Sequence, residues 1–161
     1  MDAVDRAILD ALRANARATY AELAREVGLS APAVHERVNK LEAQNVITGY
    51  HAAVAPESLG YSMSALVGIF LSDTADEDLV AEQLAALAAV EDCWFVAGEE
   101  SFVVKVRVPD VGGLEIAIRA LSKIRGVART RSTVVLSTRF EGRVQAAGTP
   151  APSPTPSPAE G

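Results

Sequence analysis

The stretch GLSAPAVHERVNKLE, residues 28–42, decides how the chain is read. Val34, Val38 and Leu41 recur at helical spacing, so one stripe of the segment is apolar and faces inward. Ser30 is a favourable N-cap for that helix. Pro32 falls in its first turn, where a missing N–H costs little. The opposite stripe carries His35, Glu36, Arg37, Asn39 and Lys40, side chains suited to a polar, charged partner.

Working upstream, Thr19-Tyr20-Ala21-Glu22 forms a capping-box pattern, with Thr19 as N-cap and Glu22 reaching back to it. Leu23 and Val27 then face inward, and Gly28 stands where a left-handed cap stops the helix. An earlier helix carries Val4, Ile8 and Leu12 on one side. Two helices joined by GLS, the second polar on its outer face, make a helix-turn-helix pattern.

Downstream of Gln44 the pattern changes. VITGYHAAV, residues 46–54, has a β-branched start and a glycine, and reads as a short strand or hairpin linking two domains. SMSALVGIFLS reads as a strand apolar on both faces. DTADEDLVAEQLAALAAV opens with acidic residues suited to a helix N-terminus and places Leu79, Leu84 and Leu87 on one side. DCWFVAG is a second strand, with Cys93 expected as a buried small hydrophobe. SFVVKVRV is a third, with Phe102, Val104, Val106 and Val108 on one face and Lys105 and Arg107 on the other. Asp110 caps a helix bearing Leu114, Ile118 and Leu121, and VARTRSTVVLSTRF is the fourth strand. The order βαββαβ is the ferredoxin-like arrangement. The fold class is therefore α+β. Residues 1–52 form the helical domain with its linker, and 53–143 the ferredoxin-like domain. Residues 144–161 form a Pro-rich tail, expected to be disordered because it offers nothing large and apolar to bury.

The chain has 161 residues, 49% apolar and 22% charged, a globular composition. Its one cysteine excludes an intramolecular disulfide framework. No apolar run reaches membrane-spanning length, and the opening MDAVDRAILDAL lacks the basic and apolar regions of a signal peptide. A cytoplasmic, nucleoid-associated protein without a membrane partner is expected. The formal net charge of −6 hides an uneven distribution. Residues 1–51 hold six Lys/Arg and seven Asp/Glu, residues 52–104 ten Asp/Glu and no Lys/Arg, and residues 105–143 nine Lys/Arg and three Asp/Glu. One reading is a solvated surface with chance clustering. The other is that acidic and basic faces meet between subunits.

The polar helix of residues 31–42 suits the major groove of double-stranded DNA. Ser30 would offer hydroxyl and backbone N–H groups to phosphate, Arg37 and Lys40 share a flank, and His35, Glu36 and Asn39 are candidates for base contacts. A three-helix bundle that binds nothing would show the same periodicity. A nearly neutral reading head binds weakly alone, so several copies must act together.

The segment AELAREVGLSAPAVHERVNKLEAQNVITGY resembles the winged helix-turn-helix of the Lrp/AsnC (feast/famine) transcription regulators. The pattern "ELA…GLS…RV..LE..G.I.GY" is met by Glu22-Leu23-Ala24, Gly28-Leu29-Ser30, Arg37-Val38, Leu41-Glu42, Ile47 and Gly49-Tyr50. Asn45 stands where a glycine is usual, and Asn39 where many members carry Arg. VAGEESFVVKVRVPD and TRSTVVLSTRF are similar to the family's glycine-acidic turn and final strand, so the resemblance covers about residues 2–143. It implies a DNA-binding regulator that forms homodimers through its sheets, assembles into an octamer and responds to an amino acid.

The AGEESF turn reads first as a tight hairpin, with Gly98 at positive φ and the glutamates solvated. The resemblance adds that it lines an effector site between subunits. Glu99, Glu100 and Ser101 would accept from an ammonium, Ser101 or Thr133 would donate to a carboxylate, and Phe95, Val111, Val134 and Val135 would form an apolar wall. Many members carry Asp where Ser101 stands, which points to an apolar or small amino acid. Two other readings stand beside this one: an architectural DNA-binding protein without an effector, and a small enzyme on the ferredoxin-like half. No acid/base pair, metal spacing or phosphate loop supports the enzyme, so no catalytic residue and no cofactor are expected.

Overall fold

A computed structural model describes residues 1–142 of the chain. The expected tail beyond them lies outside the described residues. Two compact units divide the described chain: residues 1–52 with residues 140–142, and Ala53–Arg139.

The first unit holds α1 (Ala3–Ala14), α2 (Tyr20–Val27) and α3 (Ala31–Ala43). Each starts where a side chain satisfies the orphan N–H groups of a first turn. Asp2 and Asp5 form a reciprocal capping box on α1, with both hydrogen bonds 2.8 Å. Thr19 and Glu22 do the same for α2, and Ser30 caps α3 by accepting from the Ala33 N–H. Gly28 ends α2 at φ 71°, the left-handed region in which a Cβ is costly. Ile8, Leu12, Leu23, Val34 and Val38 are buried together, with Val4, Val27 and Ile47 packed around them.

The strand or hairpin expected over residues 46–54 does not form, so among the described residues α3 is followed by no paired wing. Asn45 takes a left-handed turn at φ 54°, and the N–H groups of Val46 and Ile47 both donate to the Leu41 carbonyl. Groups tied to a helix end are not available for a ladder, and Ile47 tucks against the helical core instead.

After a short 3-10 turn (Pro56–Leu59), the second unit runs β1 (Met63–Leu71), α4 (Glu77–Ala85), β2 (Val90–Phe95), β3 (Phe102–Val108), α5 (Val111–Ser122) and β4 (Val127–Val135). The sheet is fully antiparallel in the order β2-β3-β1-β4, the ferredoxin-like topology. Ala65, Val67 and Ile69 of β1 join Phe102, Val104, Val106 and Val108 of β3 on one face. That face is closed by Val80 and Leu84 of α4 and by Leu114, Ala117 and Leu121 of α5. Asp110 caps α5 as expected. The fourth strand stops at Val135, short of the expected Phe140.

Two packing expectations need correction. Leu79 is 55% exposed and Val80 takes the inward position. Asp76 caps α4 and sets its phase, so the stripe is Val80, Leu84 and Leu87, spaced four and three, rather than Leu79, Leu84 and Leu87. Cys93 is exposed, because β2 is an edge strand with no strand beyond it. Lys105 lies on the face opposite Val104 and Val106, as expected, and is buried at 7% with its ammonium 2.6 Å from Glu91.

Candidate nucleic-acid interface and effector turn

With Val34, Val38 and Leu41 buried, α3 presents two polar flanks. On one, the His35 ring packs against Tyr20 with centroids 4.7 Å apart, and its Nε2 lies 3.3 Å from the Asn39 amide. On the other, Ala33, Glu36, Arg37 and Lys40 line a cleft of about 570 Å³ together with Met1, Asp2 and Asp5 from the start of α1. Ser30, Glu36 and Lys40 are exposed. Arg37 is not held towards solvent in the same way. One guanidinium nitrogen lies 2.7 Å from Asp2 and 2.7 Å from Asp5. The Asp2 carboxyl is lowered to about 2, first by the Asp5 backbone N–H and then by Arg37. Asp5 is lowered by the Asp2 backbone N–H and by Arg37. Behind α3, the Tyr50 hydroxyl donates to Glu42 at 2.8 Å. Partial burial and that carboxylate push the phenol up to about 12.

The turn between β2 and β3 is tied at its base by Val96 N–H to the Ser101 carbonyl and by Ser101 N–H to the Ile69 carbonyl of β1. Gly98 does not adopt the expected positive φ. Glu99 is exposed, whereas Glu100 crosses β1 over Gly68 and pairs with Arg131 of β4. A Cβ at Gly68 would sit 2.6 Å from the Glu100 Cγ, so any larger residue here must displace the Glu100 side chain. Arg129 stacks on Phe70 at 3.5 Å on the same face.

The nine expected effector residues fall into two groups. Phe95, Gly98, Glu99, Glu100 and Ser101 lie at the end of the sheet where Ile69 pairs with Phe102. Thr133, Val134 and Val135 pair with Leu66, Ala65 and Ser64 at the other end, and Val111 follows β3 at that same end. At about 3.3 Å per residue, Ser64 and Ile69 are roughly 17 Å apart along β1. One chain therefore does not bring the nine together. Val134 also shares the helix-covered face with Ala65, while Thr133 and Val135 lie on the opposite, open face. That open face carries exposed Leu66 and Trp94.

Sequence reading missed Asp2, Asp5, Gly68, Arg129 and Arg131. Three of these had signals: the Asp-x-x-Asp spacing of Asp2 and Asp5 ahead of an apolar stripe is a capping box, and a lone glycine such as Gly68 inside an apolar strand marks a close approach. The acidic and basic segments also meet inside one chain, through Glu91 with Lys105 and Arg107 and through Glu100 with Arg131. Among the described residues, no cluster of His, Cys, Asp and Glu is arranged to hold a metal ion, and no helix is long and apolar enough to cross a membrane.

This geometry agrees with known proteins in both units. The AsnC-type helix-turn-helix domain model matches residues 1–42, and the Lrp/AsnC ligand binding domain model matches residues 64–145. The HTH-type transcriptional regulator LrpA of Mycobacterium tuberculosis is 41% identical over 143 residues, covering 89% of this chain and 95% of its own. The regulatory protein AsnC of Escherichia coli K12 is 34% identical, covering 84% and 90%. A solved feast or famine regulatory protein from M. tuberculosis, complexed with L-methionine, superposes with a TM-score of 0.85 at 40% identity, covering 90% of this chain and 98% of that one. A helix-turn-helix unit followed by a four-stranded ligand-binding unit, matched in that order over nearly the whole described chain, makes this protein a member of the Lrp/AsnC family of transcriptional regulators.

Proposed function

We propose that the protein binds double-stranded DNA through α3 and that an amino acid modulates its assembly and its hold on DNA. The observation that carries the DNA reading is the split of α3 between a fully buried apolar stripe and exposed Ser30, His35, Glu36, Asn39 and Lys40. In this reading Lys40 and the helix start around Ser30 meet phosphate, while His35, Glu36 and Asn39 face base edges. The test is Lys40→Ala. Affinity should fall across many duplex sequences, and the slope of log affinity against log salt should flatten by about 0.9 for each phosphate no longer neutralised. Unchanged affinity and slope in a folded variant would remove α3 as the reader.

The effector reading draws on the separation of the two residue groups. A second copy is the simplest source of the missing half, and the open face with Leu66 and Trp94 is the surface through which homodimers form. Dimers then assemble into an octamer in the cytoplasm, on the nucleoid. The related protein solved with L-methionine supports an amino acid as the ligand. A ligand shifts assembly only by its differential affinity for the assembled states, so oligomer size is the natural readout. Sedimentation velocity with each amino acid in turn should show one or more that change the distribution, and Gly98→Trp should abolish the response while leaving dimers folded. The competing architectural reading, without an effector, is favoured by one feature: Glu100 is already paired with Arg131 and is not free for an ammonium. A flat response to the whole panel would select it.

A further inference from the structure

Arg37 stands on the flank of α3 where a phosphate contact is expected, yet its guanidinium is committed to the protein. It reaches Asp2 Oδ2 and Asp5 Oδ1 at 2.7 Å each. Those same two carboxylates close the capping box of α1. One network therefore ties the first turn of α1 to the middle of α3, across 35 and 32 residues of sequence. Such partly exposed ion pairs add little stability. Their value is directional. The buried stripe of Val34, Val38 and Leu41 sets which face of α3 turns outward, and hydrogen bonds from one guanidinium nitrogen to two fixed carboxylates narrow its angle further.

We infer that Arg37 is a positioning residue of the reading helix: through Asp2 and Asp5 it sets the angle at which His35, Glu36, Asn39 and Lys40 meet DNA. This rests on the reading of α3 as the DNA-contacting helix. Two accounts of the network give opposite signs. Asp2 and Asp5 line the cleft beside Glu36 and Lys40. If they were merely negative charges near DNA, neutralising one would remove repulsion and tighten binding. If they hold Arg37 in place, neutralising one loosens α3 and weakens binding.

The experiment uses the full chain, with a short duplex selected from a random library by the parent protein and a scrambled duplex of equal length. Fluorescence anisotropy is measured across a salt series for Asp5→Asn, Arg37→Gln, Arg37→Lys and Lys40→Ala, each checked by circular dichroism. Asp5→Asn keeps an oxygen for the α1 cap. Asp5→Asn and Arg37→Gln should each lose about tenfold on the selected duplex, the scale of one base-edge contact, and change little on the scrambled one. The salt slope should stay at the parent value in both, and the double variant should be no weaker than either single one. Arg37→Lys, which keeps the charge on a shorter and differently shaped head, should fall between. Lys40→Ala should instead weaken both duplexes and flatten the slope. Tighter binding by Asp5→Asn overturns the inference. So does a flattened slope in Arg37→Gln with Asp5→Asn at parent affinity. If Lys40→Ala also leaves affinity and slope unchanged, α3 is not the reader and both claims fall. Should Arg37→Gln unfold, Asp5→Asn and Arg37→Lys decide the question with the same readouts.

Discussion

The helical unit and the sheet unit reach their structures by different routes. In the helical unit the decisive interactions are local. Two capping boxes, the Ser30 cap and the left-handed Gly28 each join residues within a few positions of one another. The apolar stripes of the three helices then close on a core that one chain completes. In the sheet unit β2 and β3 form a local hairpin, but β1 is placed by β3 and β4 from far along the chain, and only one face of the sheet is covered by helices. A locally specified unit is finished as a monomer. A sheet with an open face holding Leu66 and Trp94 leaves apolar area for another surface to cover.

The largest expected effect tests where the sheet unit keeps its stability. Leu84 is fully buried between α4 and the sheet, while Leu79, one turn earlier on the same helix, is 55% exposed. Leu84→Ala should cost about 2–5 kcal/mol, the range for emptying a packed core site. Leu79→Ala should stay within about 0.5 kcal/mol, as for a surface substitution. Urea titrations of the two variants measure the contrast. Equal costs would mean that α4 is rotated from its described phase, or that an assembled state buries Leu79.

A middle-sized effect concerns Gly68. Replacing a strand glycine by a residue with a Cβ relieves roughly 0.5–1 kcal/mol of entropy. At Gly68 that Cβ would lie 2.6 Å from Glu100 Cγ, and overpacking costs about 1–3 kcal/mol, so the steric term prevails. Gly68→Val should therefore destabilise the chain by about 1–2 kcal/mol. Glu100→Ala should recover much of that loss in the double variant, and a double-mutant cycle reads the coupling. Additive losses would show that Glu100 is not what the new side chain meets.

The same division explains what was legible in the sequence. The starts of α2 and α3, the stop at Gly28 and the stripe of Val34, Val38 and Leu41 could be read because each signal sits within a turn of what it controls. The βαββαβ order was readable from alternating periods. Position within the sheet was not. Whether Cys93 is covered depends on β2 being an edge strand, which only the pairing of β3 with both β1 and β2 decides. Leu79 and Val80 are both apolar, and the choice between them turns on the cap at Asp76. The role of Gly68 depends on Glu100, from beyond β2, crossing it. The clearest miss joins both halves of the molecule's logic. Spacing places Arg37 correctly on the outer flank of α3. Its partners are 32 and 35 residues away, and periodicity carries no information over that span.

The smallest expected effect lies in those partners and sharpens the contrast between local and distant control. The Asp2 carboxyl is lowered from 3.8 to about 2, and the largest cause is the local one, the hydrogen bond from the Asp5 backbone N–H; the distant Arg37 comes second. Asp5 is lowered for the same pair of reasons. A carboxylate whose folded value is depressed contributes stability that is fully present above its unfolded value. That contribution is lost as pH falls through the folded one. The window for Asp2 therefore runs from just below 4 down to about 2, and the network should be intact throughout the neutral range. Removing the distant partner should raise the Asp2 value only part of the way, because the α1 cap remains. Carboxyl-carbon NMR titration should show Asp2 of Arg37→Gln between about 2 and 3.8, with Asp5 raised as well. An Asp2 value unchanged in Arg37→Gln would mean that the ion pair does not form in solution and that the local cap alone sets the carboxyl. A value returned fully to 3.8 would mean that Arg37 holds the cap together, and that the start of α1 is itself under distant control.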